Sequence, residues 1–552
     1  MTLSFARENR IASWHFIIAF AALAIGLLFG PLQVWEHTGV KELNFYPYLR
    51  AIGIQSYYQG LTLHGVLNAL VFTTFFITGF LTFATARSLQ KPLTMPVLSW
   101  AALIIMVVGL LMAAVPLLLN QATVLFTFYP PLKANPFFYI GLTLVVVGSW
   151  VTGWSLFATY LAWRKENPGV QTPLIALGSL ITMALWQLCT LGVAVEMLTM
   201  LIPWSLGLIP GLDPLLARTF FWFTGHPLVY FWLLPAYISW YGMVPKMAGG
   251  KLFSEPLARL AFWLFLLIST PLGFHHQYVD PGIPAIWKLV HAGLTFAVFF
   301  PSMLTAFNVM ASLEIGGRAR GGTGLFGWIF RLPWNEPSFA TQTLAMIIFA
   351  FGGISGLTNA SYNLNLVTHN TVWVPGHFHM TVGTAVTLTF MALMYWMLPM
   401  LTGKPLRWPK LALAQGWTWF IGMALMSNGL HILGLRYELP RRSMIGALPY
   451  FNPEWSPFLI ESAIGGTILL ISSILFFTVM IGTLVSKEKL ATAVEMPVAE
   501  AYEPGPAPRW LDSWRPWLAG ALALVVVGYG PMLVQLIAQS QWIVPGPAGK
   551  LW

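Results

Sequence analysis

The feature that most constrains this chain is a succession of long apolar runs, the first from Trp14 to Trp35 and the last from Pro516 to Gln539, separated by short loops holding Pro, Gly and charges. A helix of about 20 residues spans the roughly 30 Å hydrocarbon layer of a bilayer. We read thirteen runs of that kind. Their length, and the lack of strict alternation between apolar and polar positions, exclude a membrane barrel. The predicted fold is all-α and polytopic, one transmembrane domain over residues 1–552. With 57% hydrophobic and 8% charged residues, the sequence has too little polar material for a soluble surface.

The formal charge of +10 does not point to nucleic acid, because the Lys and Arg residues lie in interhelical loops rather than in one patch. Their distribution follows the positive-inside rule if the N-terminus is cytoplasmic. Arg7 and Arg10 resemble the start of a signal peptide, but the following run is too long and lacks a small-residue cleavage site, so it is expected to be retained. The single cysteine, Cys189, allows neither an internal disulfide nor a multi-thiolate metal site. Any metal must therefore be held by histidine. The one linker-like stretch, Lys487 to Arg515, is expected to be an inner surface loop before the last helix.

Ionisable groups at membrane depth need a partner or a task. Six of the eleven histidines lie in distinctive strings in or at the ends of spans: His64 in Thr-Leu-His-Gly, His226 in Gly-His-Pro-Leu-Val-Tyr, His275 and His276 in Gly-Phe-His-His, and His377 and His379 in Pro-Gly-His-Phe-His. Two residues apart on a helix, His377 and His379 are turned about 200° from each other and face opposite ways. Such a pair can serve two different haem irons or act as two hydrogen-bonded core histidines. Adjacent His275 and His276 suit copper or zinc, and His226 is a plausible third ligand that leaves one metal position open. With the N-terminus inside, His64, His226, His377 and His379 fall in the first turns of inward-running spans. His275 and His276 end an outward-running one, so all six share one outer layer. The other five, His15, His37, His291, His369 and His431, stand alone and are read as structural.

These strings, in this order, resemble subunit I of the haem-copper oxygen reductase superfamily, and the likeness covers almost the whole chain. The resemblance implies a terminal oxidase that reduces dioxygen to water and translocates protons. It assigns His64 and His379 to a low-spin haem of b type, His377 to a high-spin haem of a type, and His226, His275 and His276 to the copper called copper B. Tyr230 stands four residues after His226, on the same helical face. In the family the corresponding Tyr is joined covalently to that His and supplies a proton and an electron; an ordinary interhelical hydrogen bond is the alternative.

Leu228 stands where the mitochondrial-like group has Glu, which moves the resemblance to the B family, with a single proton path. Tyr237 and Tyr241 continue the stripe of His226 and Tyr230, descending about 16 Å from Tyr230 to Tyr241 at the helical rise. Thr295, Ser302 and Thr305 form a second hydroxyl row, and both rows serve either proton conduction or interhelical stapling. Arg441 and Arg442, in an outer loop, need an anion, which the resemblance supplies as haem propionates. Asn365 replaces an acid expected near a propionate, and Asn370 replaces the Asp of a magnesium site, which is not assigned.

The implied partners are a subunit II carrying a binuclear copper centre, cytochrome c or a similar donor, and a small single-helix subunit, in a prokaryotic plasma membrane. Nitric oxide reductase shares the six histidines but uses non-haem iron with glutamates and lacks the Tyr. A secondary transporter would bind no metal at all.

Overall fold

The structure is a computed structural model that describes residues 4–540. Its long helices are α1 Ala6–His37, α2 Tyr57–Ser88, α3 Pro96–Leu118, α4 Pro136–Glu166 and α5 Leu174–Ser205. They continue as α6 Pro214–Gly242, α7 Glu255–Ser269, α8 Ala285–Ala319, α9 Pro337–Ala360, α10 Trp373–Thr402, α11 Pro409–Arg436, α12 Ser456–Val485 and α13 Trp514–Gln539. Among the described residues there is no strand beyond two isolated bridges.

Thirteen spans were expected, and twelve helices among the described residues are long and apolar enough to cross a membrane by length and composition. The exception is α6, whose 29 residues are rich in Trp, Tyr, Thr and Pro and hold His226. Its polar and aromatic content lowers its hydropathy because it lines the interior of the bundle, with nearly every residue buried. Its start also differs from the expected Thr219. Asp213 accepts the Leu215 and Leu216 N–H groups at 2.9 and 3.2 Å, and Pro214 occupies the first helical position, so the cap sets the boundary earlier. His226 consequently lies about three turns into α6 rather than in its first turn.

A second correction concerns α7, which was expected to run to His275. The helix stops at Ser269, and Pro271 and Gly273 separate it from a short 3-10 turn, Phe274–Gln277. Both adjacent histidines ride on that turn.

α2 and α10 are the most enclosed helices, whereas α8 and α13 turn most of their surface outward. Close packing rests on small residues. A Cβ on Gly109 of α3 would lie 2.5 Å from the Gly141 carbonyl of α4, so only glycine permits this approach of the two backbones.

The Lys487 to Arg515 stretch is a docked strap rather than a free loop. Ala499 N–H donates to the Gly242 carbonyl at 2.7 Å, and Leu252 and Glu500 pair through their backbones at 2.8 Å. At its end Asp512 accepts from Thr172 N–H and meets Arg164 at 3.3 Å and the buried Arg259 at 3.5 Å. Arg259 also bridges to Glu255 at 2.6 Å, and Trp263 Nε1 donates to Leu511 O at 2.9 Å. Removing one member of a buried ion-pair network strands the other. Arg259→Ala is expected to cost about 3–5 kcal/mol, read as a lower temperature for irreversible loss of the native absorbance; an unchanged midpoint would show that the strap does not hold α13.

Candidate metal centre

Three imidazoles converge where α6 meets the turn after α7. Ring centroids of His226 and His275 lie 4.4 Å apart, those of His275 and His276 4.1 Å, and those of His226 and His276 5.6 Å. One nitrogen from each lies within 4.8 Å of the others, and no carboxylate joins the group among the described residues. Nε2 of His226 and Nε2 of His276 are buried without a hydrogen-bond partner. Orphaned nitrogens so placed are expensive unless an electrophile takes their lone pairs.

Each ring is oriented by a neighbour. Thr295 donates to the His291 carbonyl at 2.5 Å, so its oxygen accepts from His275 Nδ1 at 3.1 Å and leaves His275 Nε2 free. His276 lies flat on Trp222, centroids 3.7 Å apart and planes 9° from parallel. On α6, Thr224 donates to the Cys189 carbonyl at 2.8 Å, tying that helix to α5 one turn before Leu228. Tyr230 reaches His226 with ring centroids 5.0 Å apart.

His291, which sequence reading left as structural, holds the turn itself. Its Nδ1 accepts from Gly273 N–H at 3.0 Å and Phe274 N–H at 3.3 Å, so the proton sits on Nε2, which donates to Gly528 O of α13 at 2.9 Å. Nothing local marks this histidine, because its partners are backbone groups from two distant segments. His291→Ala is expected to lower the affinity of the three imidazoles for a metal ion about 10–100-fold, the usual cost of losing such support. Metal per chain, measured after dialysis against a mild chelator, checks this; full retention would refute it.

The other histidines form two further positions. His64 and His379 face each other with ring centroids 6.0 Å apart and planes 16° from parallel. Two metal–nitrogen bonds of about 2 Å would leave ring centres roughly 6 Å apart. Nδ1 of His64 lies 3.0 Å from Gly26 O, and Nδ1 of His379 lies 2.7 Å from Pro375 O, so both Nε2 atoms point into the space between the rings. A Cβ on Gly30 would come within 3.0 Å of the His64 ring, which makes that glycine part of the cradle.

His377 points the other way, toward α9. Its Nδ1 meets Ser355 Oγ at 2.9 Å and Gly352 O at 3.0 Å. α2 and α10 each pass into a π-helical segment just beyond their histidines, Val66–Phe72 and Thr381–Val386. Such bulges re-aim side chains by inserting a residue, and they recur at functional sites.

Outside the spans, Arg441 and Arg442 sit beside Arg218, His369 and Tyr129. Burial, and then the neighbouring arginines, hold His369 down at about 4, so the ring is neutral. Burial lowers both Arg441 and Arg442, with repulsion from Arg442 adding to the shift of Arg441 and repulsion from Arg218 to that of each. The carboxylate in the cluster, Asp280, is taken by Arg218 at 3.0 Å. Arg441 Nε and Arg442 Nη2 are buried donors without partners, which fits carboxylates arriving with a bound group. Asn365 donates to the His275 carbonyl at 3.1 Å, bracing the histidine turn.

Below the centre, Tyr241 donates to Thr305 at 2.6 Å. The Tyr237 hydroxyl faces Ser302 and Thr305. Phe265 lies between Tyr230 and Tyr237, 5.4 and 5.3 Å from their rings. Thr295 therefore belongs to the histidine cluster, while Ser302 and Thr305 lie with the lower tyrosines.

The sequence profile described as "Cytochrome C and Quinol oxidase polypeptide I" matches residues 10–468. The chain belongs to this family. It is 46% identical over 99% of its length, and 97% of the relative's, to cytochrome c oxidase subunit 1 of Thermus thermophilus. Identity to ubiquinol oxidase subunit 1 of Acetobacter aceti is 24%, over 84% of the chain and 68% of that protein. A solved haem-copper terminal oxidase, described as a dimer, superposes with a TM-score of 0.92 at 40% identity, covering 100% of this chain and 96% of that one.

The protein is thus the catalytic subunit I of a haem-copper terminal oxidase, a multi-pass membrane enzyme of a multisubunit complex. Haem and copper are the family's cofactors, and the orphaned nitrogens, the parallel histidine pair and the unpaired guanidinium donors fit them.

Proposed function

We propose that this oxidase is of the B-family type and reduces dioxygen to water at copper B and a high-spin haem while translocating protons. The observation that carries the reading is the His226, His275 and His276 triad beside Tyr230 with no carboxylate in the group. A nitric oxide reductase site needs glutamates there, and none joins the three histidines among the described residues. Leu228 follows Pro227 in a buried apolar setting, so α6 carries no acid to end a second proton channel.

In this reading His226, His275 and His276 hold copper, His377 holds the high-spin haem of a type, and His64 and His379 hold the low-spin haem of b type. When bound, these groups supply the electrons and the open coordination positions for oxygen. The chain's own part is to orient ligands and deliver protons. Thr295 and His291 fix the copper-binding turn, Arg441 and Arg442 neutralise propionates, and Tyr230 donates a proton and an electron from its phenol. Protons rise from the cytoplasmic side through Tyr241, Thr305, Ser302 and Tyr237. The N-terminus is cytoplasmic and the membrane a prokaryotic plasma membrane. Electrons arrive from cytochrome c or a similar donor through a subunit II with a binuclear copper centre; a small single-helix subunit completes the complex.

The test of the path is Thr305→Ala alone and with Ser302→Ala. Losing the 2.6 Å Tyr241–Thr305 contact is expected to slow proton uptake on the order of 10²-fold, the low end of what one positioned proton-transfer group contributes. Flow-flash kinetics with a pH dye measure it. Unchanged uptake in the double variant would remove this row from the path.

A further inference from the structure

We propose that the N-terminal end of α1 and the inner end of α3 form a binding site for one anionic phospholipid, with the phosphate held by Arg7 and Arg10. A cavity of about 580 Å³ lies there, lined by Ser4, Arg7, Glu8, Arg10, Pro92 and Trp100 among others. Arg7 and Arg10 stand one turn apart on α1 and are exposed. Neither meets an acidic group among the described residues, although other basic residues such as Lys91, Lys251 and Arg407 do.

The acid that lines the cavity does not cancel this charge. Glu8 is 1% exposed, and its Oε1 accepts from Leu93 N–H at 2.9 Å. Arg87 of α2 lies near enough to Glu8 for the two charges to attract. The cavity therefore retains two uncompensated guanidinium groups, whose forks suit a phosphate.

The surface beyond the cavity matches the rest of a phospholipid. Continuing the stripe of Arg7 and Arg10 along α1 come Trp14, 49% exposed, and Ile17, 56% exposed. Across the groove α3 presents half-buried Trp100, then exposed Ile104, Val108 and Leu111. Cations, then indole rings, then aliphatic side chains are the order of phosphate, glycerol backbone and acyl chain. A free phosphate would use the arginines and leave that apolar groove without a role.

The test is native mass spectrometry of the purified complex after delipidation, titrated with phosphatidylglycerol, phosphatidylcholine or inorganic phosphate. One phosphatidylglycerol is expected to bind the native protein, with affinity falling as salt rises. In the Arg7→Gln, Arg10→Gln double variant that affinity should drop on the order of thirty-fold, from two lost surface cations, while phosphatidylcholine binding and haem absorbance stay as before. The Arg7→Lys, Arg10→Lys variant should stay within a few-fold of native, which separates charge from folding. Equal phosphatidylglycerol retention in the native and Gln proteins, or binding indifferent to salt, would overturn the proposal. So would inorganic phosphate displacing the lipid at equal concentration.

Discussion

Tyr230→Phe is expected to lower oxygen reduction by a factor on the order of 10² to 10⁴ while both haem spectra and the copper content stay intact. The substitution removes one hydroxyl and no ring. Packing against His226 at 5.0 Å and Phe265 at 5.4 Å is retained, so the helix and its neighbours have no reason to shift. What disappears is the ionisable, oxidisable hydroxyl of the ring beside His226. Steady-state oxygen consumption with an artificial donor, beside the optical spectrum, separates this from misfolding. Turnover within twofold of the native enzyme would mean that Tyr230 only staples helices.

His379→Ala is expected to abolish the low-spin haem signal, one haem per chain, and to leave copper bound. His379 faces His64 across 6.0 Å, whereas His377, two residues earlier, is fastened to Ser355 and Gly352 of α9. The copper triad draws on α6 and the turn after α7 and shares no residue with α10. Loss of one face of α10 should therefore spare the other. A normal low-spin band would contradict the assignment, and so would concurrent loss of copper.

Much of this arrangement was legible in the sequence, because membrane depth turns each polar residue into a signal. The thirteen apolar runs correspond to the long helices, and α6 falls short of the hydropathy of a span for the same reason that it holds His226 and Tyr230. The two-residue spacing of His377 and His379 carried the opposite-face geometry, since a helix fixes that angle whatever surrounds it. Boundaries set by caps and breaks were less legible, as at Asp213 and at the end of α7 before Pro271. Support through backbone groups was not legible at all. His291 works by accepting two amide N–H groups and donating to a carbonyl on α13, and backbone partners leave no trace in residue identity. How the Lys487 to Arg515 loop docks was not legible either, because Ala499 and Leu252 fasten it through main-chain bonds, while Glu488, Glu500 and Asp512 supply its ionic contacts.

The central claim is that six histidines grip two haem irons and one copper. Elemental analysis of the purified protein, with reduced-minus-oxidised spectra recorded with and without carbon monoxide, tests it most directly. The account predicts two irons and one copper per chain, with carbon monoxide shifting the bands of one haem only. A colourless protein, or a third iron in place of copper, would contradict it.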